Sequence, residues 1–280
     1  MQAKRASILP RLFLAALCGA WAGQAGAEML PRWELGAGVA GISMPEYRGS
    51  DQVTNYLLPF PLFVYRLDWL KADRSGVRAT VLENERAELN MSVSAGPPVR
   101  SKNNRAREGM PDLKPMFEFG PSLDVNLWKE SEQGAKLRLL MPMRAAFTVQ
   151  TQPKWAGWVF QPRLNLDLPK VGGAWNVGLV AGPVFATRQQ HAYIYNVDAA
   201  YARADRPAYQ AKGGYSGTQF LVSLSRKYES VWLGAYVRYD NLRGAAFVDS
   251  PLVRRRDYLS AGFAITWTMA RSSELIESAD

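Results

Sequence analysis

Cysteine and histidine are almost missing from this chain. One cysteine, Cys18, and one histidine, His191, stand among 280 residues. A disulfide framework needs paired cysteines, and a protein-held metal draws on several His or Cys ligands, so neither is expected. No run of eighteen apolar residues occurs, which excludes a membrane-spanning helix. Phosphate loops and dinucleotide fingerprints are missing too; Gly172-Gly173 and Gly213-Gly214 read as turn residues. No cofactor is implied. Apolar residues still make up 48% of the chain and charged ones 21%, a balance that excludes disorder. A soluble β-rich domain or a membrane β-barrel remains.

The first residues read as an address. Lys4, Arg5 and Arg11 precede an apolar run from Leu12 to Ala22, and Ala25-Gly26-Ala27 supplies small residues. This is the pattern of a secretory signal peptide, residues 1–27, cleaved after Ala27. Leu17 before Cys18 is too large for lipoprotein processing. Removing three basic residues and no acidic one from +9 leaves a mature charge of +6. That surplus favours anionic partners such as lipopolysaccharide phosphate or cell-wall polymer, and export argues against nucleic acid.

From residue 31 onward the hydrophobic period is two. Phe117, Phe119, Leu123, Val125 and Leu127 alternate with Glu118, Ser122, Asp124 and Asn126. The stretches 135–149, 155–168 and 257–268 repeat the pattern. Such segments exceed the ~5–6 residues of a globular strand and suit a tilted membrane crossing of ~9–11. An apolar face toward lipid and a charged face toward a lumen then make an all-β, antiparallel transmembrane β-barrel. Twelve strands are expected, at 32–43, 54–66, 68–74, 76–83, 86–96, 115–129, 135–149, 155–168, 173–188, 215–226, 229–241 and 257–268. Merging around 66–76 would leave ten or eleven. With an even count both termini are periplasmic, the short turns 83–86, 129–134, 168–173 and 226–229 are periplasmic, and the long connections 44–53, 97–114, 189–214 and 242–256 are extracellular. One domain, 28–280, results, with a short polar tail at 269–280.

Two lumen ion pairs are expected. Glu118 with Arg144 and Asp124 with Arg138 share the index sum 262, so one antiparallel register serves both. They read as packing of a narrow barrel or as a selectivity constriction. Pro121, Pro142, Pro162 and Pro183 fall at similar heights on four adjacent strands and predict a band of bulges or broken pairing. Trp33, Trp158, Trp175 and Trp267 lie near strand ends, as in an aromatic girdle; Trp232 falls on the lumen face.

Four loop-proximal motifs carry a resemblance. They are Pro45-Glu-Tyr47-Arg-Gly49-Ser50-Asp51, Ala106-Arg107-Glu-Gly109-Met110-Pro111-Asp112-Leu113, Arg206-Pro207-Ala-Tyr209-Gln-Ala211, and Asp249-Ser250-Pro251-Leu252-Val253. In this order the chain resembles the MipA/OmpV family, the MltA-interacting outer-membrane proteins. The resemblance implies an outer-membrane barrel and a scaffold joining a lytic transglycosylase to a penicillin-binding peptidoglycan synthase. Some members are described only as porin-like. Outer-membrane barrels usually end on an aromatic residue, whereas here Trp267 is followed by a polar stretch.

The loops also have direct readings. Gly49-Ser50-Asp51 is turn chemistry. Arg100, Lys102, Arg105 and Arg107 form a basic cluster that reads either as a contact for lipopolysaccharide phosphate or as a solvated loop. Arg254, Arg255 and Arg256 add to the phosphate reading, though Asp249 and Asp257 flank them. A hydrolase would need a nucleophile beside a base; Ser216, Ser250 and Asp249 would meet His191 only by chance of folding. The sequence therefore points to a non-enzymatic envelope scaffold, with a narrow channel for small solutes as the alternative and a hydrolase well behind. No catalytic residue is assigned.

Overall fold

The computed structural model describes residues 29–66, 70–73, 76–79, 82–83, 86–130 and 134–277. The signal peptide expected at 1–27 lies outside them. The elements in chain order are β1 (Met29–Pro31), β2 (Trp33–Pro45), β3 (Val53–Arg66), β4 (Leu70–Asp73), β5 (Gly76–Ala79), β6 (Leu82–Glu83), β7 (Ala87–Gly96), β8 (Met116–Lys129), β9 (Lys136–Thr148), β10 (Trp155–Phe160), β11 (Arg163–Val171), β12 (Trp175–Ala186), α1 (Arg188–Tyr195), β13 (Gly214–Tyr228), β14 (Val231–Asn241), β15 (Asp257–Arg271) and β16 (Leu275–Glu277). No described helix is long and apolar enough to cross a membrane.

Among the described strands all pairing is antiparallel. The large sheet runs β5-β4-β3-β2-β15-β14-β13-β12, then β10 and β11 side by side with β9, then β8-β7-β6. The terminal strands β2 and β15 are neighbours, so the chain's two ends meet inside the wall. This is the antiparallel barrel-type sheet that the strand lengths imply. Strands β10 and β11 are halves of one broken strand, since both lie between β9 and β12. The two strands expected at 68–74 and 76–83 are instead the short pieces β4, β5 and β6, with some of those residues outside the described set. Among the described residues ten long strands carry the wall, with β10 and β11 taken as one.

The wall's faces are inverted relative to a soluble protein. Leu57, Phe63, Phe117, Val222, Val237 and Phe263 are exposed, while Asn90, Ser122, Asp124, Asn165, Asp240 and Thr266 are buried. The alternation of β8 puts Phe117 to Asp124 on the faces that the period assigns and breaks at Val125 and Asn126, beside the irregularity before Trp128; β15 follows the period at Tyr258, Leu259, Ser260, Phe263, Thr266 and Trp267.

The proline band is present. Pairing of β8 with β9 skips from Phe119↔Ala145 to Ser122↔Pro142. Gln161 and Pro162 separate β10 from β11, and β12 shifts register between Pro183 and Phe185. A proline has no ladder N–H, so adjacent strands lose pairing at one height. Glycines let the backbones close there: a Cβ on Gly120 would sit 2.1 Å from the Met143 carbonyl oxygen, and one on Gly182 2.2 Å from that of Pro162.

At the turn end, β1 and β16 form a separate two-stranded ribbon, clamped by a 2.9 Å ion pair between Arg32 and Glu274. Of the stretch expected as a polar tail, Met269–Arg271 continue β15 and Leu275–Glu277 make this ribbon.

A loop cap over a basic cavity

The four long connections are not separate solvated loops. They pack on one another around Tyr47, Val99, Ala106, Leu113, Tyr195, Val197, Ala211, Leu242, Ala245, Phe247, Leu252 and Tyr258. Helix α1 sits at the centre. Its eight residues are too few to hold a helix in water alone, where about 12–15 are needed. Tertiary contacts hold it instead. Tyr195 stacks on Phe247 with centroids 3.7 Å apart, and His191 meets the same ring edge-on at 4.7 Å. The helix start packs over Gly157 and Gly213, where a Cβ would lie 2.9 Å from Gln190 N and 2.7 Å from Arg188 N.

The motif residues are the fasteners of this cap. Tyr47 OH donates to the Leu252 carbonyl at 2.9 Å, and Tyr195 OH donates to the Arg48 carbonyl at 2.9 Å. Burial holds the Tyr47 and Tyr195 hydroxyls well above the usual phenol range, so both stay protonated donors. Pro45 ends β2, buried. Gly49 adopts φ +92°, a left-handed conformation that its missing Cβ permits, and its carbonyl accepts from the Arg254 and Arg255 N–H groups. Ser50 Oγ accepts from the Gln52 N–H at 3.1 Å, and Asp51 accepts from Arg105 at 2.9 Å. Asn104 reaches from the second loop to Glu46 and Ser50 in the first.

Arg107 is 3% exposed. Its guanidinium donates to the Ile194 carbonyl at 2.8 Å and the Pro111 carbonyl at 3.2 Å. Gly109 turns the same loop at φ +77°, Met110 packs on the core, and Asp112 accepts from the Ser101 N–H at 2.8 Å. Arg206, 5% exposed, ties the third loop to the second by donating to the Ala106 and Glu108 carbonyls. Pro207 is exposed beside it, and Tyr209 bridges to Val197 in a two-residue ladder. Ser250 Oγ donates to the Tyr195 carbonyl at 2.8 Å, Pro251 is half-buried, and Leu252 is fully buried.

The basic cluster divides accordingly. Arg100, Lys102 and Arg105 are exposed, whereas Arg107 is enclosed and spends its donors on carbonyls. Arg107 is therefore withdrawn as a lipopolysaccharide contact. A guanidinium in a loop looks solvated in sequence, but five fixed donors also make it a clamp for several carbonyls.

The interior ion pairs differ in part from expectation. The β8–β9 register has Glu118 opposite Ala146 and Asp124 opposite Leu140, an index sum of 264 instead of 262. The faces are unchanged, because a two-residue shift preserves parity. Arg144 Nε reaches Glu118 diagonally at 3.0 Å. Asp124 does not meet Arg138. It accepts from Asn90 at 3.0 Å and Ser122 at 2.6 Å, while Arg138 pairs with Asp167 at 2.9 Å. The shift puts Arg138 opposite Asn126 and leaves Asp167, on β11, as its carboxylate.

A continuous polar chain crosses the interior. Arg48 and Arg238 donate to Asp240 at 3.2 and 2.8 Å, and Gln219 donates to the same carboxylate at 2.7 Å. Gln161 donates to Gln219 at 2.6 Å, and Arg144 donates to Gln161 at 2.9 Å and to Glu118. Above it, between the chain and the cap, lies a cavity of about 330 Å³. The cap supplies its roof through Ile194, Tyr195 and Phe247, and the wall supplies Arg144, Arg163 and Arg238.

His191 and Ser216 also meet at this cavity, which the sequence reading had left to chance. His191 Nε2 lies 2.6 Å from Ser216 Oγ, and Nδ1 lies 2.6 Å from the Lys212 carbonyl. A carbonyl can only accept, so Nδ1 carries the proton and Nε2 accepts from Ser216. Burial and the nearby Arg48 charge push the imidazole below its usual range, partly offset by the Lys212 carbonyl. The pair has the spacing of a nucleophile and base, but Nδ1 is bonded to a backbone carbonyl where a triad would place a carboxylate. Ser250, bound to Tyr195, is engaged elsewhere. The dyad pins α1 to β13. No group of three or more potential metal ligands occurs among the described residues.

The family model for the MltA-interacting protein MipA matches residues 37–269, from β2 to β15 and through every cap loop. The chain belongs to the MipA family. No curated protein matches it. Among solved structures it is similar to a bacterial polysaccharide outer membrane secretin, at 8% identity and TM-score 0.42, over 85% of this chain and 99% of that one. It is also similar to a Pseudomonas aeruginosa FadL homologue, at 7% identity and TM-score 0.25, over 85% and 90%. Both likenesses are too distant to bear on function. The family's motif residues, as they stand in this chain, hold the cap together.

Proposed function

We propose that this protein is a non-enzymatic scaffold of the outer membrane, exported through a signal peptide cleaved after Ala27, that binds a lytic transglycosylase of the MltA type and a peptidoglycan synthase. The family match carries this reading, because the family is named for interaction with MltA. The wall supports the location: a belt of exposed Leu57, Val222, Val237 and Phe263 around a polar interior suits lipid outside. The packed cap supports a role other than transport, since a solute path would have to pass its apolar core and the polar chain beneath. The turn end then faces the periplasm. There the β1–β16 ribbon adds a surface beyond the short turns, with Met29 and Leu275 about half exposed. The exposed Arg100, Lys102 and Arg105 face the opposite side, where lipopolysaccharide phosphate is the matching partner.

A crosslinked pull-down from envelopes, with a tag after Asp280, tests the reading. Recovery of a transglycosylase or peptidoglycan synthase is expected, and Leu275→Asp should reduce it while leaving the folded wall intact. Recovery of lipopolysaccharide and assembly factors alone, with step conductances in a planar bilayer, would replace the scaffold by a narrow channel.

A further inference from the structure

The cavity under the cap is lined by more positive charge than its neighbours neutralise. Arg48, Arg144, Arg163 and Arg238 all border it. Two carboxylates bond to members of this set: Glu118 to Arg144, and Asp240 to Arg48 and Arg238. Asp124, already held by Asn90 and Ser122, adds at most one more negative charge nearby. At least one guanidinium is left without a counter-charge.

Arg163 bonds to none of these carboxylates, although the charge of the already engaged Asp124 acts on it. Its Nε is buried with no hydrogen-bond partner, and so is Nη2 of Arg48. Buried donors of a charged group are costly to leave unmet, and most native ones are satisfied. The remaining lining offers further donors: Gln161, Gln190 and Gln219 side-chain amides around the same space. The four arginines come from different places: Arg48 from the first loop, Arg144 from β9, Arg163 from β11 and Arg238 from β14. Donors that converge from several walls suit a tetrahedral oxyanion, which accepts in all directions, better than a planar carboxylate. Guanidinium forks match phosphate oxygens in pairs. At about 330 Å³ the space is at the small end of ligand cavities.

We propose that the cavity is a binding site for a small phosphate-type oxyanion, inorganic phosphate or a phosphomonoester, with Arg163 as its principal ligand. The site is separate from the periplasmic surface assigned to protein partners and does not depend on that assignment.

The test is titration calorimetry on the full, detergent-folded protein, with inorganic phosphate and with glycerol phosphate, each at ionic strength matched by sodium chloride. Saturable binding with one site is expected. Arg163→Met should weaken it at least tenfold, and Arg163→Lys should lie between. Arg163 holds no carboxylate partner at Nε, so its removal leaves no orphaned acid, and unchanged heat-modifiable migration would show the wall intact. Arg226→Met, a basic residue stacked on Trp175 and Tyr228 away from the cavity, should bind as the parent does. Tighter glycerol phosphate than phosphate would assign an organic ester, and the reverse the free ion. No saturable binding above the chloride control, or equal binding by Arg163→Met, would overturn the proposal.

Discussion

On the wall, Leu57, Val222 and Phe263 stand exposed while Asn90, Asp240 and Thr266 are buried; in the cap, Tyr195, Phe247 and Leu252 are buried while Arg100, Arg105 and Arg203 reach outward. One chain thus follows two solvent rules. The wall's apolar face has no core to enter, and a lipid environment accounts for it. The cap obeys the rule of a water-soluble domain, in which apolar side chains leave water. It is a small domain assembled from four loops that the wall brings together. The wall provides its backbone pairing through ladders, and the cap obtains the same satisfaction from side chains such as Arg107 and Arg206.

The comparison can be broken from either side. The largest effect is expected in the cap. Tyr195→Ala would remove the ring stacked on Phe247 and the hydroxyl held by the Arg48 carbonyl. Truncating a buried aromatic costs about 3–5 kcal/mol. Limited proteolysis should cut the 188–213 loop readily in this variant, while heat-modifiable migration on gels still reports a folded wall. Loss of both together would mean that cap and wall fold as one unit.

The reverse substitution is Val222→Arg, at an exposed apolar position in the middle of β13. A cation on the lipid face near the bilayer midplane costs about 2–4 kcal/mol. Denaturant unfolding in lipid vesicles should show that loss, with no change in the cap's proteolysis pattern. No loss would mean that this face does not contact lipid.

Gly49→Ala should cost less, about 1–2 kcal/mol, because a Cβ at φ +92° is strained. It would also stand 3.2 Å from Leu242 and Val253. The expected readout is faster proteolysis of the 242–256 loop alone. Amide exchange at Arg254 and Arg255, whose N–H groups bond the Gly49 carbonyl, should rise with it.

The two regions were unequally legible. Period-two alternation marks the wall because each strand repeats one rule, and it set the faces of β8 and β15 without tertiary knowledge. Register was less visible. Charge matching alone chose the index sum 262, but the hairpin at Glu130, whose N–H bonds the Ala135 carbonyl, closes on 265, and an irregularity between Asn126 and Trp128 then sets 264 along the strands. A long arginine then reaches its acid diagonally, so a correct pair such as Glu118–Arg144 arises from a wrong sum. The cap has no period to read. Arg107 and Arg206 look like solvated charges because nothing local shows the carbonyls they meet. One signal was present: Ile194, Val197, Phe247, Val248, Leu252 and Val253 are apolar residues inside long connections, where a solvated loop would not keep so many. His191 and Ser216 are 25 positions apart and join only because α1 folds back on β13.

The smallest expected effect concerns that contact and pH. His191 is held neutral, with Nδ1–H on the Lys212 carbonyl and Nε2 accepting from Ser216. Burial first, and the Arg48 charge as well, hold its folded-state pKa below the ordinary 6.5, with the Lys212 carbonyl opposing them. In the unfolded cap the imidazole recovers its ordinary value and binds the proton more readily. Stability then falls as pH falls, wherever the unfolded state holds more protons. His191's contribution is full above about 6.5 and declines as pH drops from there toward the lowered folded value. Below that value it declines no further, since both states are protonated. Carboxylates titrate in acid as well, so the parent's slope alone would not identify the histidine. In His191→Gln the part of the slope just below 6.5 should vanish while the carboxylate part at lower pH remains. Amide exchange across 188–195, compared between the two proteins from pH 7.5 to 5, measures the difference. Equal slopes would mean that the imidazole is already free to take up a proton in the folded cap, and the clamp between α1 and β13 would then be weaker than its two 2.6 Å contacts imply.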